Sequence, residues 1–151
     1  MKSKLPFLRY LAAVLVMIGL VGCGGEPGKP ARAPVSGKVV TKEGKDCDGA
    51  LVVFHASAPD RATDAKPVGT TGTDGGFALT SFETNDGAIP GDYCVTIVWP
   101  ASKQSARLSL SSAGGGGGGD QLAGRYGDPH SPKIKISVPK EGLADLRLEV
   151  E

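Results

Sequence analysis

The sequence predicts an all-β domain, a sandwich of about seven strands, placed behind an N-terminal export signal. Three observations predict it. With 23 glycines and 11 prolines in 151 residues the chain is rich in turn formers, and four Phe, three Tyr and one Trp are its only aromatic residues. Apolar and polar residues alternate with a period of two in several short stretches, the pattern of half-buried strands. Helical periodicity is nearly absent after Cys23.

The N-terminus carries Lys2, Lys4 and Arg9 without an acid, then an apolar run from Tyr10 to Val21, then Gly22, Gly24 and Gly25. This charged, apolar and small-residue order is that of a secretory signal peptide over residues 1–22. A membrane-spanning helix needs about 20 apolar residues, and this run is shorter, with Gly19 inside it. Leu20-Val21-Gly22-Cys23 resembles the lipobox of bacterial lipoproteins. The resemblance implies that Cys23 receives a diacylglycerol, becomes the mature N-terminus and is acylated on its amine. Two or three acyl chains on one residue satisfy the two-signal requirement for stable membrane anchoring. Gly24, rather than Asp, after the cysteine resembles lipoproteins sent to an outer rather than an inner membrane.

Removing residues 1–22 leaves 129 residues with 14 basic against 16 acidic side chains, a formal charge of −2. That length suits one domain with a modest core. No basic patch is present to recruit nucleic acid. Cys47 and Cys94 remain once Cys23 is lipidated, an even count in an oxidising compartment.

Residues 23–34 read as the lipidated cysteine and its tether. Gly24 to Pro34 holds three prolines and no apolar side chain larger than Ala, so it is expected to stay extended, at about 3.1 Å per residue. The folded domain, residues 35–151, is expected to begin near Val35. Val35 to Thr41 forms the first strand, with Val35 and Val39 on one face, and Lys42-Glu43-Gly44-Lys45 turns the chain. Ala50 to His55 is apolar on both faces, as in a strand covered on two sides or along one edge. Val68 to Gly72 and Phe77 to Thr80 flank Thr73-Asp74-Gly75-Gly76, a strong hairpin signal because Asp-Gly tolerates positive φ. In Asp92 to Trp99, the set Tyr93, Val95, Ile97 and Trp99 should line the core. Pro100 ends that strand. Gly114 to Gly119 reads as a surface loop; a phosphate-binding loop is excluded because neither Gly-Lys-Ser/Thr nor a helix follows. Ile134, Ile136 and Val138, then Leu146, Leu148 and Val150, mark two closing amphipathic strands.

Pro34-Val35-Ser36-Gly37-Lys38-Val39, Gly49-Ala50-Leu51-Val52-Val53-Phe54-His55, Thr73-Asp74-Gly75-Gly76-Phe77 and Pro90-Gly91-Asp92-Tyr93 together resemble the carboxypeptidase regulatory-like domain. Gly124-Arg125-Tyr126-Gly127-Asp128-Pro129, with Ser131-Pro132, looks like the subset of such domains found as small bacterial lipoproteins. The resemblance covers the chain from Pro34 onward. It implies a transthyretin/prealbumin-like Greek-key sandwich serving as a non-enzymatic accessory module that binds an envelope protein or glycan. It carries no catalytic residues, and a shared fold does not give a shared function.

Among individual residues, His55 and His130 lack the clustered partners that zinc or general-base chemistry needs, so no catalytic group, metal or cofactor is expected beyond the acyl groups on Cys23. An unidentified hydrolase is the third-ranked function. A transthyretin-related hydroxyisourate hydrolase would end in Tyr-Arg-Gly-Ser, whereas this chain ends Leu148-Glu149-Val150-Glu151. Cys47 and Cys94 either form a disulfide or stay as two separate thiols. Asp60, Asp64, Asp74, Asp86, Asp120 and Asp128 lack calcium-loop spacing and read as solvated turn acids. Arg125 and Tyr126 are the candidate contacts for a sugar or peptide, Tyr126 alternatively packing its ring on the sandwich.

Overall fold

The structure is a computed structural model that describes residues 30–101 and 119–151. The export signal, Cys23, tether residues 24–29 and most of the glycine run lie outside the described residues. Seven strands follow in order: β1 (Val35–Thr41), β2 (Leu51–Ala56), β3 (Val68–Thr70), β4 (Gly76–Ala78), β5 (Gly91–Val98), β6 (Ile134–Val138) and β7 (Leu143–Val150). A single 3-10 turn, Pro59–Arg61, lies between β2 and β3. Each strand matches a stretch of period-two alternation or a short apolar run in the sequence.

The strands form two sheets, β4-β1-β7 and β3-β2-β5-β6, packed as a β-sandwich. All strand neighbours are antiparallel except β1 and β7, which run parallel with an irregularity between Val35 and Gly37. The inward sets are those the alternation predicts. Val35 and Val39 of β1, Tyr93, Val95 and Ile97 of β5, Trp99 just after it, and Leu148 and Val150 of β7 are all buried. In β2 the inner face is Val52 and Phe54, while Leu51, Val53 and His55 are half-buried on the outer face. Burying such a set releases roughly 1.5–3 kcal/mol per large apolar side chain, which holds the two layers together.

The expected hairpin between β3 and β4 is not a sheet pair. Its turn forms, with Gly72 N–H donating to Gly76 O at 2.8 Å and Asp74 Oδ1 accepting from Gly76 N–H at 3.0 Å. The arms meet again only at the Val68–Thr80 bridge. Between these points β3 pairs with β2 and β4 with β1, so the arms enter opposite sheets. Phe77 and Leu79 explain the parting. Both must point between the layers, and the Leu79 N–H is taken by Val35 O at 2.9 Å. Local turn chemistry sets the register of a hairpin, but the core decides which sheet each arm joins. The β6 and β7 arms, joined by a turn at Pro139–Gly142, divide between the sheets in the same way.

The fold also begins earlier than Val35. Ala33 is fully buried and pairs antiparallel with Ala88, with backbone bonds of 2.8 and 2.9 Å, and Pro34 O accepts from Leu143 N–H at 2.9 Å. The absence of large apolar side chains does not prevent docking here, because the main chain supplies the bonds. Gly87 makes room for it: its φ is +85°, and a Cβ there would collide with Ala33 O.

Candidate functional site

Of the residues singled out in the sequence, most are placed in structural roles. Tyr126 is in the core, 8% exposed, with its hydroxyl accepting from Glu151 N–H at 3.3 Å and Lys133 Nζ 5.8 Å from the ring centroid. Its carbonyl accepts from Ile97 N–H at 2.9 Å, extending the edge of β5. The ring thus packs on the sandwich, the alternative to an open face for stacking on a sugar. Arg125 is exposed, with Nε donating to Leu122 O at 3.2 Å.

Cys47 and Cys94 are separate free thiols. Cys47 is buried beside β1, its N–H donating to Val39 O at 3.1 Å. Thr71, itself buried, holds that corner by donating its hydroxyl to Cys47 O and accepting from Ala50 N–H. Burial pushes the Cys47 thiol up. Cys94 lies opposite His55 on the outward face of the other sheet, with Sγ 3.5 Å from Ser57 Oγ. One thiol points inward and the other outward, so a bridge has no path between them.

His55 Nε2 is 2.9 Å from Thr96 Oγ1, and burial, then Lys66 and His130, lower its imidazole below the ordinary 6.5. His130 is exposed; its backbone N–H donates to Asp128 Oδ1 at 2.8 Å. Among the described residues no three His, Cys, Asp or Glu side chains converge as metal ligands.

Two of the turn acids each gather three backbone N–H groups. Asp120 accepts from Trp99, Leu122 and Gly124 N–H groups at 2.8, 3.1 and 2.8 Å, fixing the chain as it re-enters beside β5. Asp86 accepts from Ser81 N–H at 2.7 Å, Phe82 N–H at 3.2 Å and Glu83 N–H at 3.0 Å, and pairs with Arg32 Nε at 3.0 Å. Burial disfavours its charge. The three N–H groups and the guanidinium outweigh that cost and hold the carboxyl below its ordinary 3.8. A lowered folded-state pKa contributes stability in full above the unfolded value and loses it as pH falls through the folded one. Asp86→Asn is therefore expected to lower stability by about 2 kcal/mol at neutral pH, the worth of a charge-assisted bond. The gap from the unchanged protein should narrow below pH 3.8, as urea midpoints at several pH values would show. A gap independent of pH would rule out the ionic account.

Two surface features remain as sites. The first is an open groove of about 1070 Å³ over the outer face of the β4-β1-β7 sheet and the seam between β3 and β4. Ser36, Lys38, Lys66, Thr70 and Arg147 line it with hydroxyl and basic groups, and small residues of β1 and β4 leave its floor low. Asp74 sits at one end, 3.8 Å from Lys38 Nζ; the Gly76 N–H, more than Lys38, keeps its carboxyl low. Such a lining offers an extended polar ligand both donors and acceptors.

The second is the N-terminal edge of the described fold, around Arg32. Arg32 reaches from the N-terminal segment to Asp86, and its guanidinium carbon stands 5.4 Å from the centroid of Phe82. Phe82 is 45% exposed, the one exposed large apolar side chain among the described residues. Neither Arg32 nor Phe82 stands out in the sequence. Arg32 lies in a Pro/Gly-rich segment and Phe82 in a turn-rich one, and 50 residues separate them. In the sequence only Asp86, read as one of the turn acids, falls in this region.

Comparison with known proteins finds no family model, no curated relative and no solved structure that matches this chain.

Proposed function

We propose that the protein is an exported, non-enzymatic cell-envelope lipoprotein, a small β-sandwich held at a membrane through acyl chains on Cys23. Leu20-Val21-Gly22-Cys23, placed directly after an apolar run, carries the reading. The buried Ala33 supports it, because it fixes an N-terminal point of the sandwich ten positions after that cysteine. In this reading the sandwich is transthyretin-like, supported by seven strands divided three and four, and the outer membrane is its location. Replacing Cys23 with Ser should leave unprocessed precursor that no longer takes up labelled fatty acid or partitions into detergent. Normal processing and membrane fractionation of that variant would defeat the proposal.

A second reading, a receptor domain for an extended peptide or glycan, is favoured by the groove rather than by the Tyr126 loop. It predicts that charge changes at Lys38 and Arg147 alter capture from envelope extracts, whereas changes at Tyr126 act only through stability.

A further inference from the structure

The seam groove carries basic and acidic groups in nearly equal number, and the outward Cys94 is a lone thiol. The N-terminal edge around Arg32 carries more. Phe82, the one exposed large apolar side chain among the described residues, stands against Arg32, and Arg32 lies nine positions after Cys23. Fully extended, nine residues reach about 30 Å, so the ring is never far from the residue that the proposed anchor places at the bilayer surface.

We infer that Phe82 is a membrane-seating side chain: the loop at the tether root rests on the lipid surface, with the Phe82 ring in the interfacial region and Arg32 at headgroup level. This rests on the anchoring of Cys23. Three features support it. Asp86 holds the Ser81, Phe82 and Glu83 amides, so the ring is presented on a stiffened loop and loses little freedom on insertion. Arg32 lies beside the ring with Nε paired to Asp86, so a basic group accompanies the ring at the apolar boundary, the usual company of an interfacial aromatic side chain. One half-exposed ring is too little to hold a free protein on a bilayer. A short tether changes that, because it makes the second contact intramolecular at an effective concentration on the order of millimolar. The seated loop also sets which way the domain faces. Ser81 and Asn85 of the same loop region line the seam groove, so the groove's near end would lie beside the membrane and its far end away from it.

The test uses full-length lipidated chain carrying Phe82→Trp, reconstituted in phosphatidylcholine–phosphatidylglycerol vesicles with and without brominated acyl chains. Unchanged protein supplies the background, since its Trp99 is 7% exposed. The expected result is emission from the introduced indole that shifts to the blue and is quenched by brominated lipid, while Trp99 emission is not. Unquenched emission from a chain that still floats with vesicles overturns the seating and leaves the anchor standing. A blue shift without quenching overturns it too, and assigns the ring to contact between copies. If the chain does not float, the anchor fails, and the seating fails with it.

Discussion

Tyr93→Ala should destabilise the domain by about 3–5 kcal/mol, the range for removing a buried aromatic ring, enough to bring a chain of this size near unfolding. Tyr93 is 2% exposed and packs on Phe54, with ring centroids 5.6 Å apart at 56°. Its hydroxyl donates to Ile89 O at 2.6 Å and accepts from Arg61 Nη2 at 2.8 Å. Arg61 in turn donates through Nη1 to Pro90 O and through Nε to Asp64, so one ring ties the 3-10 turn to the chain entering β5. Truncation to Ala removes the ring from the core along with one of the three partners of the guanidinium; Tyr93→Phe keeps the ring and removes only the hydroxyl bonds. The Phe variant should therefore lose about 1–2 kcal/mol. Urea unfolding with unchanged slope would separate the two. Equal losses would mean that the hydroxyl network, not the ring, carries the stability.

Gly37→Ala is expected to cost about 3 kcal/mol, the upper end for overpacking. Gly37 faces Leu146 across the parallel β1–β7 pair, where an added Cβ would collide with Leu146 O and stand 2.8 Å from its Cβ. The obstacle is main chain on the partner strand, which cannot rotate away. β1 is bonded on its other side to β4, so it cannot retreat without breaking that pairing. Gly127→Ala is the control, because its nearest neighbour would be Gly124 O at an ordinary 3.5 Å, and it should be close to neutral. A Gly37 variant as stable as the Gly127 variant would show that β1 and β7 can separate at little cost.

These expectations also mark what could be read from residue order. Alternation, the apolar run at β2 and the Asp74-Gly75 turn between β3 and β4 together located the seven strands, and alternation named the inner faces of β1, β5 and β7, because burial on one face of a strand is written every second residue. The partners were less legible. Asp74-Gly75 announces a turn, yet nothing local says that Phe77 must serve a different layer from Gly69, since that follows from the sandwich as a whole. The N-terminal edge around Arg32 was hidden for the same reason. Arg32 and Asp86 are 54 positions apart, and an Asp in a turn looks alike whether it caps three amides or faces water. Tyr126 shows the converse. Its motif was visible, but whether the ring lies in the core or on the surface depends on the neighbouring β5 edge, where its carbonyl takes the Ile97 N–H.

The parallel run of β1 beside β7 has a mechanical consequence. A pull on the chain ahead of Pro30, such as a membrane would exert on a domain gripped elsewhere, first meets the Ala33–Ala88 bridge and then draws β1 along its own axis. The bonds to β4 and β7 lie across that direction, so they are sheared together rather than unzipped singly. For a domain so loaded, lifetime is set by the unfolding rate and not by its resting stability alone. Loaded at its N-terminal end, the sandwich would bear the force on β1, the strand that is bonded on both sides within its sheet.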